Sequence, residues 1–453
     1  MLGFDSLNEP NLGMAGWPDL AVGSLFLRQG PSPTWFESLR LGEGFEASVA
    51  YYNPSLVPAG RVTLNTTHVR AWKRGCGCVW RQHGVWDIVD DKPVLLKRDY
   101  FKWRVEGGQR VPVDLARDYF VPFALCFKAA INKAVKARGG ARLLVFLDRD
   151  TSFEDASIGL CPTGKCRHAL AHALAAHSLT LLITGTVLGN DPAAADGFVW
   201  APHWYDLVPI VMKSFRSWVG VARDQGWGMP VVFGNSNLVR EYCRQLRLLH
   251  AGGAALGNGK GVPTLVGELG IPFDMNDGAA YRTGDFSLQI SAMDTTMRAL
   301  DMALLSGVLW NYTPDNTNKH GDGWNGEDLS IFSRDQVAAG QESDLFAGGR
   351  ALAAIVRPYA ARCAGTPLRM HFDLARRRFC LRFQHDPAIT SPTLIFVPFY
   401  QYPEAPHVRV SDGTFQLSRR RQTLTYYHDA TAGHEHTVVV EPYVQRGQRS
   451  VEY

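Results

Sequence analysis

The chain has 453 residues, 46% of them hydrophobic and 20% charged, which is the composition of an ordinary globular protein. This length allows one large domain with a smaller one, or roughly two to three domains. The formal net charge of +4 is small and spread along the chain, which argues against nucleic acid as a partner.

Short apolar runs alternate with helical patterns along the first two thirds of the chain. Continuous apolar runs, typical of buried parallel strands, lie at 143–147, 198–201, 264–267 and 308–310, and a short apolar segment at 2–7 precedes Asn8-Glu9-Pro10. Helical periodicity covers 119–137, 207–222 and 286–305. Residues 24–60 are rich in Gly, Pro and aromatic residues and are predicted to form a long loop. Alternating strands and helices predict a parallel α/β architecture.

Polar or aromatic residues follow most of the predicted strands. They are Asn8-Glu9, His203-Trp204-Tyr205, Glu268 and Trp310-Asn311. Functional residues at the carboxyl ends of parallel strands are characteristic of (β/α)8 barrels. The predicted fold class is therefore α/β, with a (β/α)8 TIM-type barrel over residues 1–362.

The pattern changes from about residue 366. Short strand-like segments lie at 368–372, 378–384, 394–397, 423–427 and 437–440, with turn residues between them and no helical periodicity. This pattern predicts a small antiparallel β-sandwich over residues 366–453.

Glu9 and Glu268 each end an apolar strand, which makes them candidates for a carboxyl pair. Glycoside hydrolysis needs two carboxyls. One protonates the leaving oxygen, and the other attacks the anomeric carbon or activates water. The alternative for either residue alone is a solvated loop carboxylate.

Four short motifs keep one order along the chain: Leu7-Asn8-Glu9-Pro10, Pro202-His203-Trp204-Tyr205, Val266-Gly267-Glu268-Leu269-Gly270 and Leu309-Trp310-Asn311-Tyr312. In that order they resemble the Asn-Glu-Pro motif, the His-x-Tyr motif, the nucleophile strand and the last barrel strand of glycoside hydrolase family 5. The order makes the match specific, although Asn-Glu-Pro alone is weak.

Further segments, at 79–86, 270–274, 313–316 and 321–330, resemble the fungal branch of that family related to endoglycoceramidases. That branch includes intracellular glucosylceramidases and steryl-β-glucosidases, and it carries a C-terminal β-sandwich. The resemblance covers nearly the whole chain apart from about 150–196.

The resemblance implies a retaining β-glucosidase. Glu9 would act as the acid and then as the base, and Glu268 would be the nucleophile. Asn8 would hold the sugar 2-hydroxyl, a contact that strengthens in the transition state. Tyr205 would hydrogen-bond Glu268, and His203 would line the site.

Aromatic and polar residues after the last predicted strand would complete the sugar pocket. The resemblance implies that Trp310 stacks on the glucose ring, and a core aromatic is the alternative. Trp324, Asn325 and Glu327 would shape the pocket rim, or else form a structural turn.

The family's asparagine–glutamate motif normally closes the fourth barrel strand, whereas here it lies at residues 8 and 9. The first three strands are therefore expected to be absent, as in an N-terminally truncated chain. A non-catalytic remnant that binds glycolipid or is inactive is the alternative hypothesis. A third, an ordinary polysaccharide endoglucanase, is disfavoured by the glycolipid-branch motifs.

Cysteine and histidine residues in the segment that departs from the family have the spacing Cys-x4-Cys-x-His-x3-His: Cys161, Cys166, His168 and His172. Such residues can bind zinc. An Ala-rich insertion with incidental Cys and His is favoured, because the spacing fits no standard finger. No cofactor and no metal are expected, since retaining glycosidases need only two carboxyls and water.

The expected substrate is a glycolipid, either a steryl β-glucoside such as ergosteryl glucoside or glucosylceramide, and the resemblance favours the sterol. Aromatic residues at 24–60 could shelter the lipid or make transient contact with a membrane surface; ordinary packing is the alternative. A cytoplasmic location is expected, because residues 1–11 do not form a secretory signal and eight cysteines suit a reducing compartment. No obligate protein partner is evident.

Overall fold

The structure is a computed structural model. It describes residues 2–10, 13–23, 30–53, 58–148, 183, 185–222, 230–324 and 326–443. The chain divides into two compact units. Among the described residues, unit 1 holds 2–200 and 252–263, and unit 2 holds 201–222, 230–251 and 264–443.

Among its described residues, unit 1 contains ten strands, five α-helices, a 3₁₀ helix (Tyr100–Lys102) and a π-helix (Ala116–Phe120). The strands are β1 (Gly3–Asp5), β2 (Gly30–Ser32), β3 (Ala47–Tyr52), β4 (Pro58–Leu64), β5 (Trp86–Val89), β6 (Lys92–Leu95), β7 (Trp103–Glu106), β8 (Gln109–Pro112), β9 (Leu144–Leu147) and β10 (Phe198–Trp200). The helices are α1 (Trp35–Gly42), α2 (Val79–Gln82), α3 (Val121–Lys136), α4 (Val187–Asn190) and α5 (Pro192–Ala195).

Three parallel strands form the sheet that carries Asn8 and Glu9. Their order is β1-β9-β10, and Val145 pairs with both Phe4 and Phe198. Val145, Leu147 and Trp200 are buried. The central strands of such a sheet are covered on both faces, which explains why their sequences are apolar at successive positions. The predicted strands at 2–7, 143–147 and 198–201 are confirmed.

The long loop predicted at 24–60 is wrong for its described residues. They form α1 and the antiparallel sheet β2-β3-β4. A capping box starts α1: the Thr34 hydroxyl accepts from the Glu37 backbone N–H, and Glu37 accepts from the Thr34 N–H. Phe36 and Phe45 pack edge-on against the buried Trp86, so these aromatic residues serve a local core.

Among its described residues, unit 2 contains twelve strands, five α-helices and a 3₁₀ helix (Arg334–Gln336). The helices are α6 (Leu207–Met212), α7 (Asn235–Ala254, whose last residues belong to unit 1), α8 (Met275–Thr283), α9 (Ser287–Ala303) and α10 (Leu352–Ile355). The strands are β11 (Val219–Val221), β12 (Val231–Phe233), β13 (Leu265–Leu269), β14 (Ser306–Leu309), β15 (Tyr359–Arg362), β16 (Gly365–Asp373), β17 (Arg378–His385), β18 (Thr393–Phe396), β19 (His407–Val410), β20 (Thr414–Ser418), β21 (Thr423–Tyr427) and β22 (Glu435–Glu441).

The first part of unit 2 repeats the strand–helix pattern. Strands β13 and β14 are parallel, and α9 between them matches the helix predicted at 286–305. The helix predicted at 207–222 is wrong beyond Met212. Lys213 takes a left-handed conformation, which ends α6, and β11 follows as part of a hairpin with β12.

The C-terminal part of unit 2 consists of two four-stranded antiparallel sheets. Their strand orders are β15-β18-β21-β20 and β16-β17-β22-β19, and one apolar core contains residues from both. The predicted hairpin is observed in β16 and β17, where Phe372 pairs with Phe379. The first strand begins at Tyr359, upstream of the predicted start at 366.

A buried arginine joins the C-terminal sheets to α9. The Arg357 guanidinium donates to Asp301 at 2.9 Å, to Asp294 at 3.2 Å and to the Phe372 carbonyl at 3.2 Å. Burial raises the pKa of Asp301 to about 6, although Arg357 opposes the rise. Gln401 adds two bonds, to the carbonyls of Ala353 and Val356.

None of the helices within the described ranges combines the length and apolar character that crossing a bilayer requires.

Candidate active site

Glu268 lies near the carboxyl end of β13. Val266 and Leu269 on the same strand are fully buried, whereas the Glu268 side chain keeps 12% of its surface exposed. The β13–β14 register shifts between Val266 and Leu269. Such an irregularity changes the direction in which a side chain points. Here it allows the Glu268 carboxylate to reach the surface from a strand that is otherwise apolar.

Glycines on both sides of Glu268 permit close backbone approach. A Cβ at Gly267 would overlap the carbonyl oxygen of Ala201, and one at Gly270 would overlap that of Trp310. These glycines therefore let the neighbouring segments pack directly on β13.

His203 is in direct contact with Glu268. Its Nδ1 lies 2.5 Å from Glu268 Oε2, and its side chain is only 3% exposed. The two residues form a parallel bridge, and the Trp204 N–H donates to the Glu268 carbonyl at 2.9 Å. An ionised carboxylate only accepts, so His203 donates from Nδ1 and fixes the orientation of Glu268. The hydrogen bond that the resemblance assigned to Tyr205 stays a prediction.

Replacing His203 with alanine should leave the fold intact and lower the kcat of a reaction in which Glu268 takes part by about 100-fold, because Glu268 loses its orienting donor and small misplacements cost that much. The measurement is kcat and KM for the variant, with circular dichroism as a check on folding. His250→Ala is the matched control, since His250 lies exposed on α7. A kcat within about threefold of the parent would show that His203 does not position Glu268.

Trp310 follows β14 and lies beside β13. Its backbone N–H donates to the Leu269 carbonyl at 2.7 Å, and its side chain is 37% exposed. The backbone bond holds Trp310 next to the strand of Glu268, and a partly exposed aromatic ring there suits the apolar C–H face of a sugar. This exposure argues against the alternative of a core aromatic.

The loop after Trp310 is organised by the carboxylate of Asp322. It accepts hydrogen bonds from the side chains of Asn311 at 3.1 Å and Asn316 at 3.0 Å. It also accepts from the backbone N–H groups of Leu329 at 2.8 Å and Ser330 at 3.1 Å. Four donors on one carboxylate hold this loop in one conformation.

A buried ion pair between Arg350 and Asp328 also stabilises the loop after Trp310. Arg350 donates to Asp328 through two nitrogens, at 3.0 and 2.5 Å, and both side chains are almost fully buried. Asn316 and the Tyr281 hydroxyl also donate to Asp328. Burial, together with Asp328, raises the pKa of Tyr281, so its phenol keeps its proton. Arg350 escaped the sequence analysis because nothing local to it marks an ion pair.

Trp324 and Glu327 form a turn at the edge of this loop. The Glu327 N–H donates to the Trp324 carbonyl, and the Glu327 carbonyl accepts from the Asp322 N–H, both at 2.9 Å. Trp324 is 61% exposed. These two bonds support the structural-turn alternative, and the role of Trp324, Asn325 and Glu327 at the pocket rim stays a prediction. Asn325 lies outside the described residues.

Asn8 and Glu9 lie in unit 1, directly after β1, and both are exposed. The Glu9 N–H donates to Asp148 Oδ2 at 2.8 Å, and Asp148 is completely buried at the end of β9. Glu9 has a φ of 42°, in the left-handed region. Asp148 thus fixes the backbone of Glu9. It was missed in the sequence, although it ends the apolar run at 143–147.

The other predicted site residues belong to unit 2, where the structure brings His203 together with Glu268 and sets Trp310 beside the same strand. The four candidate zinc ligands, Cys161, Cys166, His168 and His172, lie outside the described residues.

The C-terminal part of the chain matches a known family. Residues 357–440 match the glycoside hydrolase family 5 C-terminal domain. This range contains all eight strands of the two antiparallel sheets apart from Glu441, the last residue of β22.

Three fungal proteins are similar to most of the chain. A glucosylceramidase of Rhizopus delemar is 28% identical over 89% of this chain and 56% of its own length. A glucosylceramidase of Cryptococcus neoformans is 30% identical over 85% of this chain and 49% of its own length. An ergosteryl-beta-glucosidase of Saccharomyces cerevisiae is 26% identical over 96% of this chain and 63% of its own length. The chain spans about half to two thirds of these relatives.

The structure is similar to that of Cryptococcus neoformans sterylglucosidase 1, with a TM-score of 0.77 and 26% identity over 98% of this chain and 64% of that one. This match confirms the predicted fold class, a TIM-type barrel followed by antiparallel sheets.

Proposed function

We propose that this chain, a member of glycoside hydrolase family 5 in the branch with the fungal glucosylceramidases and steryl glucosidases, is a retaining β-glucosidase acting on a glycolipid. The observation that carries the proposal is Glu268 at the irregular end of β13, with His203 Nδ1 2.5 Å from its carboxylate. A carboxylate held rigidly at the end of a barrel strand suits a glycosidase nucleophile.

The proposed reaction has two steps. Glu268 attacks the anomeric carbon and forms a covalent glycosyl-enzyme, while Glu9 donates its proton to the departing glycosidic oxygen. Water then attacks the same carbon, Glu9 accepts a proton from it, and Glu268 is released. Asn8 binds the sugar 2-hydroxyl and Trp310 supports the ring.

We assign the substrate to steryl β-glucoside or glucosylceramide. Support comes from the relatives, two of which are named glucosylceramidases and one ergosteryl-beta-glucosidase. Both substrates join glucose to a lipid through a β-glucosidic bond, so one site chemistry serves both. Sterol remains the favoured aglycone.

Contact with a lipid surface and a cytoplasmic location form part of the proposal. Large apolar side chains are exposed around α6 and the β11–β12 hairpin: Val211, Met212, Trp218, Val231 and Phe233. The rings of Trp218 and Phe233 stack on each other. Exposed apolar patches of this kind mark interaction sites, including membrane surfaces.

The first test measures glucose released from ergosteryl β-glucoside and from glucosylceramide, and it compares the parent chain with its Glu9→Gln variant. We expect release from at least one lipid, and a loss of about 10²- to 10⁴-fold in the variant, which cannot protonate the leaving alcohol. On an aryl β-glucoside, whose phenolate leaves without protonation, the Glu9→Gln variant should lose far less of its rate in the first step, formation of the glycosyl-enzyme.

Asp191→Asn is the control, because this carboxylate caps the short helix α5 of unit 1. No release from either lipid by a folded sample would instead support the non-catalytic remnant. Equal losses on lipid and aryl substrates would remove Glu9 from the acid role.

A further inference from the structure

Three inward-facing rows of side chains in the C-terminal sheets each end in a histidine. On β17 the buried row is Phe379, Leu381, Phe383 and His385; on β22 it is Val440, Val438 and His436. On β21 it is Leu424 and Tyr426, with the half-buried His428 next. Side chains two apart share a face of a strand, so three imidazoles form one layer at the end of an apolar core.

The three rings are close enough to share one ligand. Nitrogen atoms of all three histidines lie within 4.8 Å of one another. His385 Nδ1 is 2.9 Å from His436 Nε2, and the ring centroids of His428 and His436 are 4.6 Å apart. Two nitrogens bound to one tetrahedral zinc are about 3.3 Å apart at the usual Zn–N length. His385 Nδ1 and His436 Nε2 would therefore need to move apart by only a few tenths of an ångström to bind one zinc ion.

Asp412 prepares His436 for a ligand. Its Oδ2 lies 2.8 Å from His436 Nδ1. The Asp412 carboxylate also accepts hydrogen bonds from the Tyr426 hydroxyl at 2.9 Å and from the Asp429 backbone N–H at 2.8 Å, which fix its position. The Asp412 carboxylate accepts a hydrogen bond from the Nδ1–H of His436, so the lone pair of His436 Nε2 points towards His385 Nδ1, 2.9 Å away. A carboxylate–histidine pair of this kind is typical of zinc sites.

We propose that His385, His428 and His436 form a binding site for Zn²⁺, with Asp412 as the carboxylate behind His436. Imidazole nitrogens suit zinc, and three of them leave a fourth position for water. On binding, His385 moves its proton from Nδ1 to Nε2, which frees Nδ1 for the metal. The site lies apart from Glu268 and needs no role in the glucosidase reaction.

The proposed ion would tie the two sheets together. His385 and His436 belong to the sheet β16-β17-β22-β19, whereas His428 directly follows β21 of the other sheet. Because His428 is half-buried, the ion has a path from solvent. Zinc binding should therefore stabilise the folded state, as any ligand of the native state does.

The test uses the purified full chain, stripped with a chelator and then titrated with ZnCl2. We expect one zinc per chain by metal analysis and a Tm that rises with zinc concentration. CoCl2 should give the visible absorption bands of four-coordinate cobalt. Asp412→Asn should weaken zinc binding by roughly 10- to 100-fold. His428→Ala should abolish it, and this half-buried position makes an effect on folding small.

His407→Ala is the matched control, because His407 lies exposed on β19 of the same sheets and should bind zinc as the parent does. A parent chain that binds no stoichiometric zinc would overturn the site and leave a neutral histidine layer. So would zinc binding that survives in His428→Ala but disappears when Cys161 and Cys166 become serine, since the metal would then lie elsewhere.

Discussion

Glu268→Gln is expected to lower glucose release by roughly 10⁴-fold or more on whichever lipid glucoside the parent cleaves. Glutamine has nearly the same shape and can still accept a hydrogen bond from His203, so the variant should fold normally. It cannot form the covalent bond to the anomeric carbon. Single-turnover and steady-state glucose release, measured beside the parent, give the loss directly.

Glu435→Gln is the control for this substitution. Glu435 forms an exposed ion pair with Arg382 in the C-terminal sheets, and its loss should leave kcat unchanged. A 2-deoxy-2-fluoroglucoside, which slows hydrolysis of a glycosyl-enzyme, should label the peptide that contains Glu268. A Glu268→Gln variant within about tenfold of the parent would refute the nucleophile assignment.

Arg350→Met should lower the free energy of unfolding by about 3–5 kcal/mol. Among the described residues, Arg350 is the only cationic side chain that forms an ion pair with the buried Asp328 carboxylate. The arginine also donates to the Ser330 carbonyl at 2.9 Å. The charge left behind has no solvent to compensate it. Urea unfolding, followed by circular dichroism and fluorescence, measures the loss.

The matched control is Arg382→Met, which breaks an exposed pair with Glu435. That loss should stay below about 1 kcal/mol, because water already screens the two charges. Equal effects of the two substitutions would mean that the buried pair contributes no more than a surface pair. Arg350→Met should also loosen the loop after Trp310, so KM is expected to rise in parallel.

Periodicity predicted the parts of the fold that depend on burial. The run at 143–147 is apolar at every position because a parallel strand is covered on both faces, and it became β9. The helix at 286–305 and the hairpin around Arg376 followed from the same reasoning. The two wrong predictions arose where local backbone signals determine the start or the end of a helix. The capping box at Thr34 starts α1 within a stretch predicted as loop, and a left-handed Lys213 ends α6 early.

The candidate site was predictable in part. Strand-end motifs pointed to Glu268, Trp310 and His203, and the structure places His203 against Glu268. The contacts that hold the site were not predictable, since Arg350 and Asp328 are separated by a long loop. The histidine layer also escaped notice, because His385 and His436 meet only when β17 pairs with β22, and His428 joins them only from the second sheet.

Arg357 makes the C-terminal sheets inseparable from the helix before them. Its guanidinium lies between Asp294 and Asp301 of α9 on one side and the Phe372 carbonyl of β16 on the other. Cutting the chain before Arg357 would take away the cation of the buried Asp301 and leave Asp294 with Arg298 alone, at 3.9 Å, so a cut at this boundary should cost stability. The C-terminal sheets therefore contribute to the stability of the helix that precedes them. Joining these sheets to another barrel would require that barrel's helix to carry acidic residues at the positions of Asp294 and Asp301.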